Sequence, residues 1–485
     1  MWISATIAAT LLPTLCTSYS KDALKDLVTS LPGSELLDVS FKHFSGYLKV
    51  GTQFMHYEFV ESMSDPENDP LSFWTNGGPG CSGLLGFFGE QGPFRPNSDL
   101  TLSLNPYAWN KVANMVFMES PCGVGYSYSD VDSDYVAGDK STALTNYMFI
   151  QQFLDRFPEY SSNEVYLSSE SYGGHYLPTL AKEIVERNPV AQKNGLRELN
   201  FQGFAVGNPY TTVYSGLPAM IETAWGHQLI AQPTMKLYRE NQCENNLRAG
   251  YPLELCEALL NEMFLQIGNL NPYALDFPVC TVPNKAVMGS GEVMERYWML
   301  DHILSEQSDN IRVAAGLKAH RAVDVRSPLG AGYEPCEEDY MTAYANRLDV
   351  KKALHVNPSV NWKKCSSTVR YNRIDGQISM VPLYKYLIDG NHNLRILVYS
   401  GDDDGVCGTV GTQQWIWKLG YEVKNASDQW QVYKVAGQTA GYYTRWRDAK
   451  LAFVTIHGAG HEVPTYKPAV SLDMWARYLK GEWTG

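Results

Sequence analysis

Residues 166–176 read YLSSESYGGHY, and no other stretch of this 485-residue chain limits its fold so tightly. The residues just before, Glu164 to Leu167, form a short apolar, partly β-branched run suited to a buried strand. From His175 to Val185 apolar residues recur at helical spacing. Ser171 therefore falls on a strand-to-helix turn among small residues. Such an elbow lifts a hydroxyl above the carboxyl end of a parallel sheet and aims the next amide at a developing oxyanion, and it needs close backbone approach. The common form is G-x-S-x-G; here the first position is Ser169, small but not glycine.

An elbow serine needs a base within hydrogen-bond reach and an acid to orient that base. Downstream, RILVYS (395–400) reads as a buried strand that stops at Gly401, followed by Asp402, Asp403 and Asp404 in a glycine-rich loop. Spacing leaves open which of the three is the orienter, since a short carboxylate in a turn also caps its own backbone amides. A second apolar run, LAFVTI (451–456), leads into HGAGHEVP, where His461 is the candidate base. Serine, then acid, then histidine, each on a loop after a strand, is the chain order of the α/β-hydrolase architecture. That order predicts a mostly parallel central sheet flanked by helices.

These residues resemble the serine carboxypeptidase family, α/β-hydrolases that remove single residues from peptide C-termini. The likeness runs through LPG (31–33), FSGYLKV (44–50), WTNGGPGCSG (74–83), ESPCGVGYSYS (119–129), the elbow, YSGDDDGVC (399–407) and HGAGHEVP (457–464). It implies Ser171 as nucleophile, His461 as base and Asp404 as acid, the last because the family's acid is the second aspartate of a G-D-x-D pattern, here 401–404.

The loop Asn76–Gly80 follows a short apolar stretch and has the composition of a tight turn that presents bare amides. The resemblance assigns the oxyanion donors to Gly78 and Tyr172; preorganised donors of this kind are worth about 2.7 to 4 kcal/mol each in the transition state. An enzyme acting on chain ends must also recognise a free carboxylate. The family's counterparts of Asn76, Gly77, Glu90 and Glu170, supported by Trp74, form that site. Two close carboxyls cannot both ionise easily, so one keeps a proton at mildly acidic pH and donates a hydrogen bond. Glu462, next to the candidate base, resembles members that tolerate basic side chains near the scissile bond, and Tyr172, Phe87, Phe88 and Tyr273 are expected as apolar walls. No cofactor is implied.

Of nine cysteines, Cys16 lies in the N-terminal apolar segment and none of the rest shows metal-ligand spacing; the lone HxxxH, His457 to His461, sits in a glycine loop, so no metal site is expected. The resemblance implies the pairs Cys81–Cys365, Cys243–Cys256 and Cys280–Cys336, leaving Cys122 and Cys407 unbridged, with Cys407 near the active site. Residues 1–20 have the outline of a secretory signal peptide, and no later run approaches the roughly 18 apolar residues of a membrane span. One sequon, Asn425 to Ser427, is compatible with glycosylation. The expected setting is the secretory pathway, ending in a vacuole or lysosome or outside the cell.

A net charge of −13 argues against a nucleic-acid partner and suits an acidic compartment. The domain reading is a first core part over 21–210, a disulfide-stapled cap insertion over 211–340 and a second core part over 341–485. Within the cap, residues 284–328 show weak strand patterning and several basic residues, a candidate site of proteolytic maturation. Peptide or protein C-termini are the expected substrate partners, and a homodimer is left open. Three competitors share the scaffold: an acyltransferase, an α-hydroxynitrile lyase and a non-catalytic stabilising partner. Retention of Asn76 and Glu170 favours the peptidase over the acyltransferase.

Overall fold

The computed structural model describes residues 19–248, 254–280, 333–390, 392–423, 425–447 and 450–482. An eleven-stranded sheet organises them. Its strands in chain order are β1 (Leu27–Val28), β2 (His43–Val50), β3 (Gln53–Val60), β4 (Leu71–Thr75), β5 (Asn114–Met118), β6 (Val165–Glu170), β7 (Phe201–Gly207), β8 (Arg395–Gly401), β9 (Gln431–Val435), β10 (Gln438–Trp446) and β11 (Leu451–Ile456). In space they run β1-β2-β3-β5-β4-β6-β7-β8-β11-β10-β9. The middle six, β5 to β11, pair in parallel, and antiparallel hairpins close both ends.

Parallel strands are covered on both faces, so they read as continuous apolar runs whose alternate residues feed two separate cores. In β5, Val116 and Met118 join one core while Met115 and Phe117 join the other. In β11, Leu451 and Phe453 face the first, Ala452, Val454 and Ile456 the second. After the short helix α1 (Leu84–Gly89), helices α2 (Asp139–Arg156) and α3 (Gly173–Arg187) cover the first face through Tyr147, Phe153, Leu177 and Ile184. Trp109, Tyr344, Trp475 and Tyr478 fill the second. The chain steps from β4 to β5 on one side and then returns past β4 to β6 on the other. Such a reversal opens a crevice at the carboxyl ends of the strands, where open α/β sheets place their ligands.

Between β7 and β8 the chain leaves the sheet for helices Leu217–Gly226, Gln232–Glu240, Cys243–Arg248 and Glu254–Ile267. These bury a small core of their own, including Ile221, Met235, Leu260 and Met263, with the Cys243–Cys256 bridge inside it. The later helix Glu337–Ala345 behaves differently: Met341 and Tyr344 belong to the second sheet core, so the boundary expected at residue 340 falls inside an element already packed on the sheet. At the other end, Tyr19 stacks against Phe44 with ring centroids 5.2 Å apart, and Ser20 Oγ donates to the Arg156 carbonyl at 2.7 Å. Both residues, assigned by sequence to the leader, thus belong to the folded body. Residues 1–18 and the patterned stretch 284–328 lie outside the described residues.

Two further bridges are closed. Cys81–Cys365 ties the loop after β4 to a segment 284 residues away, and Cys280–Cys336 spans 56. Cys122 and Cys407 are buried and unbridged.

Candidate active site

Ser171 follows β6 with φ +60°, a left-handed conformation that a side chain adopts only where its surroundings enforce it. The enforcement is visible. Its amide donates to the Gly207 carbonyl at the end of β7 (2.9 Å), and its own carbonyl accepts from the Tyr210 amide (2.8 Å). Gly77, in the loop after β4, presses against this turn: a Cβ there would sit 2.5 Å from the Tyr172 nitrogen and 2.6 Å from the Ser171 Cβ. Gly78, at φ +113°, then turns the chain so that its amide lies in the same loop. Among the described residues neither the Gly78 amide nor the Tyr172 amide has an acceptor, the unspent state that an oxyanion site requires.

The three adjacent aspartates after β8 take three separate jobs. Asp402 accepts from His457 Nδ1 (2.8 Å) and the Gly458 amide, an exposed turn. Asp403 accepts from the Asp276 amide (3.1 Å) and faces His227 Nε2 at 3.3 Å, tying the helical excursion to the sheet. Asp404 alone turns inward, accepting at Oδ1 from the amides of Val406 (2.7 Å) and Cys407 (3.1 Å) and at Oδ2 from Asn208 Nδ2 (2.8 Å) and His461 Nδ1 (2.7 Å). With Nδ1 donating to Asp404, Nε2 of His461 is the nitrogen left to receive a proton. The His461 amide donates to the Tyr273 carbonyl (2.7 Å), whose ring packs edge-on at 5.2 Å. Burial opposes charge on this imidazole, but the charge and hydrogen bond of Asp404, with Glu462 and Glu90 nearby, outweigh it and hold His461 up at about 9.

Asn208 was invisible to pattern reading. Its signal, in hindsight, is position: it directly follows β7, between the strands that carry Ser171 and Asp404, at φ +38°. The group His227, Asp276 and Asp403 also escaped notice, bringing three potential ligand atoms within 4.8 Å. The Asp403 hydrogen bond pushes His227 up to about 9, so a proton already joins this group as an imidazolium–carboxylate pair.

Beside the elbow, Asn76 organises two carboxyls. Its Oδ1 accepts from Trp74 Nε1 (2.7 Å) and the Gly86 amide (3.2 Å), which fixes the amide's orientation and points Nδ2 at Glu90 Oε1 (2.7 Å) and Glu170 Oε1 (2.9 Å). Each carboxyl's other oxygen, Oε2, is buried and finds no donor among the described residues, an arrangement suited to one proton held between the two carboxyls. Burial pushes Glu90 up and Glu170 well above the ordinary carboxyl range, and burial likewise raises Glu462 to about 8. Glu90, Glu170 and Glu462 line one cavity of about 170 Å³ with Leu85, Tyr273 and Tyr466. Its outer wall adds Glu334, Glu337, Glu338 and Asp339, with Lys364 as the only basic lining residue among the described residues.

Several expected wall residues stand elsewhere. Phe87 and Phe88 are fully buried in the second sheet core, packed against Phe117 and Tyr344, because the short helix Leu84–Gly89 turns these rings inward. Cys407 is also fully buried, among Tyr172, Tyr176 and Tyr210, and burial drives its thiol well above the ordinary value, so the side chain contributes packing rather than a reactive wall. Tyr172 points its ring away from the cavity into the same cluster. Asn425 is exposed.

A parallel sheet with helices on both faces, a strained serine after one central strand, and a histidine–aspartate pair after two others define an α/β-hydrolase. The family model for serine carboxypeptidases matches residues 32–481, and the chain belongs to that family. Serine carboxypeptidase-like 26 of Arabidopsis thaliana is 37% identical over 477 residues, covering 96% of this chain and 94% of its own. Serine carboxypeptidase-like 32 of the same plant is 34% identical over 484 residues, covering 96% of both. The solved prohormone-processing carboxypeptidase of Saccharomyces cerevisiae shares the fold at a TM-score of 0.71 and 21% identity, covering 95% of this chain and 96% of its own.

Proposed function

We propose that the protein is a serine carboxypeptidase that releases C-terminal amino acids from peptides and proteins at acidic pH. The observation that carries this reading is the Asn76–Glu90–Glu170 cluster beside the elbow. It offers an amide held in one orientation and a carboxyl pair kept protonated by burial, a dock for an anionic chain end that contains no fixed cation.

With a chain end docked there, Ser171 Oγ attacks the last peptide carbonyl while His461, in the fraction that is neutral in the complex, takes its proton at Nε2. The Gly78 and Tyr172 amides receive the oxyanion. His461 then returns the proton to the departing amino group, and water resolves the acyl-enzyme by the same route in reverse. Asp404 keeps the imidazole in the tautomer this exchange needs. The acidic outer wall supports tolerance of Lys and Arg near the scissile bond. No helix among the described residues is long and apolar enough to cross a membrane, and the three bridges suit an oxidising, secretory or vacuolar setting.

Labelling of Ser171 by a fluorophosphonate, with loss of both labelling and peptide trimming in Ser171→Ala, is the expected result. Trimming that persists in folded Ser171→Ala would end the assignment. An acyltransferase on this scaffold would label equally well; faster acyl transfer from ester donors to small alcohols than release of amino acids from peptides would decide for it.

A further inference from the structure

A second buried histidine–aspartate pair lies behind the elbow. Asp139 begins α2, where the helix N-terminus favours an anion, and its amide donates to Asp375 Oδ2 at 2.8 Å. Its Oδ2 accepts from His175 Nδ1 (2.8 Å), and its Oδ1 accepts from the hydroxyls of Tyr172 (3.1 Å) and Tyr371 (2.7 Å). The Tyr172 and His175 rings stack with centroids 4.7 Å apart and planes 16° from parallel, and Tyr371 meets Tyr172 edge-on at 5.5 Å. Among the described residues buried His175 Nε2 has no hydrogen-bond partner, so none of them offers this pair a second group with which to exchange a proton. Everything it holds converges on one residue, Tyr172.

We propose that Asp139 is a positioning residue that locks the Tyr172 side chain and thereby aims the Tyr172 amide at the oxyanion. The inference rests on the reading of Ser171 as nucleophile and of that amide as a donor. Tyr172 is the residue after a serine held at φ +60°, so its own backbone has to be held from outside the turn. The sheet clamps Ser171 through Gly207 and Tyr210, and the Tyr172 carbonyl accepts from the His175 (2.9 Å) and Tyr176 (3.2 Å) amides, but among the described residues the Tyr172 amide itself donates to no backbone acceptor. Its side chain is the second handle. That handle ends on Asp139, which also anchors the His175 ring against which it stacks. With asparagine in place of the carboxylate, one oxygen is left for the two phenols and an N–H faces His175 Nδ1, so the stack loses its support and the amide drifts from a position where small displacements matter. The dock for the substrate carboxylate, built on Asn76, shares none of these bonds. The loss should therefore fall on the transition state and spare ground-state binding.

The test uses the full-length protein carrying Asp139→Asn or Tyr371→Phe. Four quantities are read: kcat, KM, inhibition by a peptide aldehyde that adds to Ser171 and presents an oxyanion, and inhibition by the released amino acid. For Asp139→Asn, kcat is expected to fall about 10- to 100-fold with a parallel loss of aldehyde affinity, while KM and product affinity stay within about two-fold. Tyr371→Phe leaves two of the three bonds and should show the same pattern at about three-fold. Folded Asp139→Asn with unchanged kcat and aldehyde affinity overturns the proposal. So does an equal loss across all four quantities, the signature of general damage. Should Asp139→Asn not fold, Tyr371→Phe decides, and unchanged aldehyde affinity there overturns it. Failure of wild-type Ser171 to take a fluorophosphonate would instead remove the nucleophile reading, a result distinguishable from an active, labelled enzyme indifferent to Asp139.

Discussion

Two histidine–aspartate pairs flank the elbow with nearly the same geometry: His461 with Asp404 at 2.7 Å and His175 with Asp139 at 2.8 Å. Both histidines are buried, and each packs against a tyrosine. They differ in what surrounds them. His461 follows β11 beside Glu462 at the cavity, and its aspartate is held by two amides and Asn208, so that nothing else competes for it. Asp139 is shared with two phenols, and among the described residues the outer nitrogen of His175 has no hydrogen-bond partner. A histidine–aspartate bond is thus common to both pairs, and the proposed function assigns the role of base to the one beside the cavity.

The largest expected effect breaks the two pairs apart. His461→Ala should lower kcat/KM by about 10⁴-fold or more with little change in the melting temperature. His175→Ala should keep measurable trimming, at a loss of about 2 kcal/mol of stability for leaving buried polar partners unpaired. Thermal melts beside peptide assays check both, and equal inactivation would erase the distinction.

Next in size is Glu170→Gln. In the wild type the shared proton is present below the raised carboxyl pKa and lost above it, so KM should climb with pH. A permanently neutral glutamine removes that dependence, and because its amide still donates a hydrogen bond, KM at acid pH should rise by less than about ten-fold. Steady-state kinetics from pH 4 to 8 would show it.

Stability should also favour acid. Glu337 and Glu462 rise from the ordinary 4.5 to about 7 and 8, so the folded state holds protons that the unfolded chain releases, and stability falls as pH climbs through that window. His56, His227 and His461, raised from 6.5 to about 9, contribute stability that is complete below 6.5 and gone above about 9. A melting temperature higher at pH 5 than at pH 9 is expected; the reverse order would contradict these shifts. The smallest effect belongs to Glu462→Gln. Removing one of the charges that hold the His461 proton should move the acid limb of the kcat/KM profile downward by less than about one pH unit.

Much of the scaffold was legible in the chain. The runs at 164–167, 395–400 and 451–456 are β6, β8 and β11, the first continuing three residues further to Glu170, because strands buried on both faces leave an apolar signature. The aspartate loop was only half legible. Composition shows three acids in a turn, but which one meets His461 depends on the direction the chain takes after Gly401, and that direction is set by Asn208, from a different strand. Phe87 and Phe88 show the converse. Both are expected as apolar walls, yet one short helix sends Glu90 to the cavity and both rings to the core.

The sequence by itself determined the order of strands and turns, the strained serine, and the glycines that let the loop after β4 lie against the elbow, since these follow from local periodicity and backbone permissiveness. The tertiary structure decided which aspartate turns inward, that two glutamates 80 residues apart share one amide, and that a second histidine–aspartate pair stands behind Tyr172. These facts join residues from separate strands and helices. Their energies depend on burial and on distances of a few ångströms, which no local pattern carries.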